Sequence, residues 1–248
     1  MSYSESPQRL SQIQTLWTVV GRAHGDGPAK DVNSAQHQLL ERYGKVVHRY
    51  LLGALRDADA ADELSQEFAL KFVRGDLGGA DPSRGRFRDF LKGVLFHLIG
   101  DYHRRRKKQA LPLPGEHDPA DSMQDLELDE SFLKSWREEL LKRAWNALQA
   151  AEQENGPPFH TVLQYRAAHP EMRSEEMASG ISELLNKDLS ASWVRQNLHR
   201  AREKFADALL SEVLQTLREP TVGALEQELI DVGLIDYCRP ALDQLRDR

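Results

Sequence analysis

Cys238 is the single cysteine in 248 residues. An intrachain disulfide and a cysteine-based zinc cluster are thereby excluded, and a reducing compartment, the cytoplasm, is the expected location. Long apolar runs are also lacking. The most apolar stretch, residues 90–99, is interrupted by Lys92 and His97 and falls well short of the roughly 20 residues that span a bilayer. Residues 1–20 hold no basic start followed by an apolar run, so neither a signal peptide nor a membrane partner is expected. The histidines form no His-Glu-x-x-His pattern and no Gly-Lys-Ser/Thr loop is present, so the expectation is no catalytic residue, no metal and no cofactor. With 40% hydrophobic and 29% charged residues the chain is expected to fold rather than stay disordered. Its net charge of −6, taken alone, argues against a surface that is basic throughout.

Alternation of β-branched residues is nearly absent, whereas apolar residues recur every three or four positions, so the fold class expected is all-α. After a cap at Asn33 or Ser34, Leu39, Tyr43, Val47, Tyr50 and Leu51 trace one helix face. A second helix follows Asp59, with Ala61, Leu64, Phe68 and Phe72 inward. A third carries Phe87, Leu91, Leu95 and Leu98. From residue 109 to 131 there is no Lys or Arg, but there are several acids and three prolines, which reads as an extended, self-repelling linker. A second helical block then runs to Pro220. In it, Ser174 and Ser190 are placed to cap consecutive helices. The expected domains are an N-terminal extension at 1–32, a three-helix domain at 33–108, the linker at 109–131, a second helical domain at 132–218 and an amphipathic extension at 219–248. That last piece is suited either to packing on the second domain or to receiving a regulator.

The basic residues are clustered. Residues 84–108 contain nine cations against Asp89 and Asp101, a local sum of +7, and the acidic stretch that follows holds seven acids. Cations interleaved with Phe87, Phe90, Tyr102 and His103 supply phosphate contacts and faces for unpaired bases, though a solvated helix end would have the same composition. The helix pair 174–185 and 190–210 has the layout of a helix-turn-helix, and it leaves Arg195, Gln196, His199 and Arg200 on the outer side of the second helix. Arg suits a guanine edge and Gln an adenine edge.

Four strings, Asp59-Ala-Ala-Asp-Glu-Leu-Ser-Gln-Glu-Phe68, Gly85-Arg-Phe-Arg-Asp-Phe-Leu91, Gly100-Asp-Tyr-His-Arg-Arg-Arg106 and Val194-Arg-Gln-Asn-Leu-His-Arg-Ala-Arg202, resemble bacterial RNA polymerase sigma factors of the sigma-70 superfamily. The resemblance is to the small two-domain extracytoplasmic-function (ECF) type, here with a C-terminal extension. It implies sigma domain 2 at 33–108 and sigma domain 4, a helix-turn-helix, at 132–218. The function implied is binding core RNA polymerase, through its β′ clamp and β flap, and directing promoter-specific initiation. Asp59, Asp62, Glu63, Gln66 and Glu67 would contact the polymerase. Arg84, Arg86, Arg88, Lys92, Arg104, Arg105 and Arg106 would handle the minus-10 element, and Arg195, Gln196, His199 and Arg200 the minus-35 element. An anti-sigma factor or a regulatory kinase are further partners of the kind the family uses. Three departures stand out: the turn 186–189 is longer than is usual, Ala60 stands where the family commonly has an acid, and residues 219–248 with the N-terminal 30 exceed the minimal two-domain plan. The alternative from the same residues is a sigma-like all-α interaction module that binds a protein partner without reading a promoter.

Overall fold

The computed structural model describes residues 15–23, 29–76, 86–109 and 121–246. These residues form ten helices and no strand: α1 (Leu16–Ala23), α2 (Ala29–Leu55), α3 (Ala58–Arg74), α4 (Phe87–Gln109), α5 (Asp121–Gln153), α6 (Phe159–Ala168), α7 (Ser174–Leu185), α8 (Ala191–Thr216), α9 (Val222–Asp231) and α10 (Ile235–Arg246). The all-α class is therefore observed. The chain divides into two compact units. The first takes the described residues up to Glu139 together with Leu214–Ala224, and the second takes Leu140–Val213 and the residues from Leu225 onward.

In the first unit, α2 ends where Arg56 turns left-handed at φ 52°, and Asp57 starts α3 by accepting the Ala60 amide at 3.1 Å. A side-chain oxygen there satisfies one of the amide donors that every helix start leaves without an intrahelical partner. Gly75 closes α3 at φ 74°, a conformation that costs glycine nothing. Ala61, Leu64, Phe68 and Phe72 are buried as the periodicity predicts, and so are Tyr43, Val47 and Leu51 of α2. Beside them lies an aromatic cluster. The Trp136 ring stacks on Tyr43 at 5.3 Å and 9°, and it also neighbours Phe87 at 6.3 Å and Phe132 at 6.1 Å. Trp17 of α1 meets Phe87 and Phe90 edge-on or tilted.

Several boundaries differ from those the sequence suggests. Residues 121–131 are helical, as the first three turns of α5, rather than extended linker. Phe132 and Trp136 lie in the first unit, not at the start of the second, because their rings fill the space beside Tyr50 and Tyr43. Residues 16–20, inside the expected N-terminal extension, contribute Leu16, Trp17, Val19 and Val20 to the same core. Helix α2 begins before Asn33 and Ser34, so these are interior rather than capping positions. At α7 the cap position falls on Arg173, and Glu176 reaches back to accept its amide at 2.9 Å.

The second unit is built on Val162, Met177, Ala178, Ile181, Val194 and Leu198, contributed by α6, α7 and α8. Arg166 secures the turn between α6 and α7 by donating to the carbonyls of Pro170 at 3.1 Å and Met172 at 2.7 Å. Gly180 is needed for the approach of α6 to α7, since a Cβ there would sit 1.9 Å from the Tyr165 hydroxyl oxygen. Leu225, Leu229, Val232, Leu234, Cys238 and Leu242 of the C-terminal extension are buried, and the extension from Leu225 onward falls in the same unit as α7 and most of α8, while residues 219–224 fall in the first unit.

Burial, reinforced by the charge of Asp207, pushes the Cys238 thiol up to about 12. The folded state therefore keeps the neutral thiol where an unfolded chain, with a thiol near about 8.5, would ionise. Stability is expected to decline as pH rises above that unfolded value, because the unfolded form gains by losing a proton that the folded form retains. Correspondingly, Cys238 should not react with an aromatic disulfide reagent at pH 8 until denaturant unfolds the second unit. Rapid labelling of the native protein would contradict this burial.

Candidate nucleic-acid interface

Helix α3 presents an acidic strip because its apolar residues, spaced three and four apart, occupy the opposite side. Asp59, Asp62, Glu63 and Gln66 are exposed, and Glu67 is half-buried at the edge of the strip. Asp62 is held by His48 of α2, Nε2 to Oδ1, at 2.8 Å. Glu67 carries a cation on each oxygen: Arg105 donates to Oε2 at 2.7 Å, and Lys71 Nζ lies 2.9 Å from Oε1. Partial burial pushes the Glu67 carboxyl up, but the hydrogen bonds from Arg105 and Lys71 outweigh it and hold the group below the usual carboxylate range.

The expected minus-10 residues fall into different environments. Arg84 lies outside the described residues. Arg86 precedes α4 and is half-buried. Arg88, for which the resemblance implies a minus-10 role, is buried, at 7% exposure, with its guanidinium 3.8 Å from Asp89. A long side chain can bury its stem within a core while its head keeps polar company. Lys92 is one-third exposed and pairs at 2.6 Å with Asp129 of α5, an acid from the stretch read as linker. Arg104, Arg105 and Arg106 are exposed at the C-terminal end of α4, where the helix dipole favours cations. Arg104 pairs with Asp101 and holds that carboxyl below its usual range, and Arg106 donates to the Tyr102 hydroxyl at 3.3 Å.

Of the aromatic residues read as stacking faces, Phe87 is a core residue and Phe90 is half-buried. Phe87 is 3% exposed, and both Phe87 and Phe90 pack on Trp17. Helix α4 exposes Phe96, at 43%, and His103, while Tyr102 is half-buried. The position of Phe96 shows in the sequence as a hydrophobe out of phase with Leu91, Leu95 and Leu98.

In the second unit, Asn186 ends α7 in the left-handed conformation at φ 50°. Ser182 Oγ accepts the Leu189 amide at 3.1 Å, and Ser190 Oγ accepts the Trp193 amide at 3.1 Å, which opens α8. Val194, Leu198, Ala201, Phe205 and Leu209 are buried. All four residues expected to read a minus-35 element, Arg195, Gln196, His199 and Arg200, are exposed near the start of α8. Arg195 lies 3.5 Å from Glu175 of α7, and His199 lies 3.6 Å from Glu203.

In the first unit the acidic face of α3 lies beside the cationic end of α4, joined by the Arg105–Glu67 hydrogen bond. Residues 39–109 match the family model for Sigma-70 region 2, a span from within α2 to the end of α4. This match supports membership of the sigma-70 superfamily, whose members are not enzymes, and with it a sigma factor role with core RNA polymerase and promoter DNA as partners. No curated protein and no solved structure matches the chain. Among the described residues no helix is long and apolar enough to cross a membrane, and no cluster of His, Cys, Asp and Glu could hold a metal ion.

Proposed function

We propose that the protein is an ECF-type sigma factor that binds core RNA polymerase in the cytoplasm and directs promoter-specific initiation. The observation that carries the reading is the region 2 match falling on the helices that bear the acidic strip of α3 and the cations of α4. In this reading Asp59, Asp62, Glu63, Gln66 and Glu67 engage a basic groove on the β′ clamp. Opposite charges across an interface steer encounter and fix register. Arg84, Arg86, Lys92 and Arg104 to Arg106 serve the minus-10 element. Helices α7 and α8 act as a helix-turn-helix that reads the minus-35 element near the β flap, and an anti-sigma factor or kinase provides control. Support for that second part is the capped α7–α8 junction with four polar side chains exposed together.

Reconstitution with core polymerase tests the proposal. The chain should co-purify with core and start transcription at defined genomic sites. Asp59→Lys with Glu63→Lys, both at exposed positions, should lower core affinity about tenfold or more, with a small drop in the thermal melt because a lysine at position 59 would oppose the dipole at the start of α3. Undiminished core binding by that variant, or none by the wild type, would overturn the assignment of α3.

A further inference from the structure

Glu67 and Arg105 belong to different surfaces in the reading above, one facing the polymerase and one facing DNA. The structure joins them directly, Arg105 Nη2 to Glu67 Oε2 at 2.7 Å, across 38 positions of sequence. They line one open concavity with Asp101, Arg104 and Lys108. The Arg105 side chain is about half exposed, at 49%, so it is within reach of a ligand; Glu67, at 22%, is more enclosed and stays ionised at neutral pH.

A guanidinium that donates to a carboxylate has fewer N–H groups to give a phosphate, and the carboxylate itself repels the phosphate. Conversely, a cation presented by a protein partner competes with Arg105 for the same carboxylate oxygen. We propose that the Glu67–Arg105 ion pair couples the two surfaces: Glu67 holds Arg105 away from nucleic acid until a cationic group of the polymerase takes Glu67 and releases Arg105 to a phosphate. Glu67 is then a positioning residue for Arg105. By linkage, phosphate capture by Arg105 frees Glu67 for the polymerase to the same degree. The inference rests on the assignment of the two surfaces made above and adds the connection between them.

Fluorescence anisotropy with a single-stranded oligothymidylate, measured across a salt series on the full chain, tests it. Glu67→Gln should raise the affinity of the free protein about two- to fivefold, the range an exposed ion pair supports. The salt dependence should also steepen by about 0.7 in log K against log salt, one additional phosphate contact on a single strand. Removing a negative charge helps any polyanion to bind, so the decisive comparison is made in an Arg105→Ala background. If Arg105 is the group released, Glu67→Gln produces no gain there; a gain of the same size with Arg105 absent would reduce the effect to general electrostatics and overturn the coupling. With saturating core polymerase the ratio between Glu67→Gln and wild type should fall towards one, because the polymerase has already drawn Glu67 away. A ratio unaffected by core overturns the coupling alone, whereas oligonucleotide binding by none of the variants overturns the DNA assignment as well.

Discussion

Arg195→Glu combined with Arg200→Glu should abolish minus-35-dependent transcription while core binding persists. Both positions are exposed on α8, away from Val194, Leu198 and Ala201, which form the buried side. The helix should therefore fold as before. A bidentate contact to a base edge is worth about 1–3 kcal/mol, so two lost contacts remove about 2–6 kcal/mol. At about 1.4 kcal/mol per tenfold, that is a loss on the order of 30-fold at the low end and 10⁴-fold at the high end. The new carboxylates add repulsion from the phosphates on top. Because Arg195 lies 3.5 Å from Glu175, the reversal also sets two acids side by side. Arg195→Ala with Arg200→Ala, which avoids that juxtaposition, should show most of the same loss. Runoff transcription from a mapped promoter, with core binding scored in parallel, provides the measurement. Normal transcription by the reversed protein would remove α8 from promoter recognition.

Trp136→Ala should destabilise the first unit by about 3–5 kcal/mol, the range for truncating a buried aromatic. The side chain is 1% exposed and packs on Tyr43, Phe87 and Phe132. Losing it opens a cavity and removes aromatic pairings that contribute beyond buried area. Trp136→Phe, which keeps a ring, should cost less than half as much. Denaturant unfolding followed by circular dichroism distinguishes the cases. The result bears on domain assignment: if residues 132–139 belonged to the second unit, the helices at 29–109 would keep their stability in the alanine variant. A loss below about 1 kcal/mol, smaller than any buried-aromatic truncation normally gives, would detach α5 from this core.

Helix faces were readable from sequence wherever one periodic stripe met one core. Leu64, Phe68 and Phe72 fall inward as spaced, and so do Val194, Leu198 and Phe205. Periodicity does not say what a stripe packs against. Trp136 continues in phase with Leu140, Ala144 and Leu148, so sequence assigns all four to one domain, yet the division between units falls after Glu139. Acid content and three prolines suggested a linker up to residue 131, but the prolines end at Pro119. Beyond it, Met123, Leu126, Glu127 and Leu128 are strong helix formers, and propensity prevailed over self-repulsion.

Charge was legible as a local sum but not as individual exposure. The cations at 104–106 lie at a helix end as the dipole argument requires, while Arg88, of the same residue type and in the same tract, lies inside. Phe87 and Phe90 looked like partners for unpaired bases because they sit among arginines. Their neighbours in space are Trp17 and Tyr43, distant in sequence and so invisible to a local reading. The Glu67–Arg105 pair was hidden for the same reason, since composition and spacing give no sign of which acid a given arginine will find.

The enclosure of Cys238 makes this chain a convenient scaffold for chemistry at chosen points. With the native thiol shielded and its ionisation displaced to about 12, a cysteine introduced at an exposed position would be the preferred nucleophile at pH 7–8 without first deleting the natural one. Gln196→Cys on α8 and His103→Cys on α4, both at exposed positions beside the arginines concerned, would carry photocrosslinkers or fluorophores on the two candidate faces. Contacts to base, phosphate or protein could then be mapped one helix at a time on an otherwise unaltered sequence.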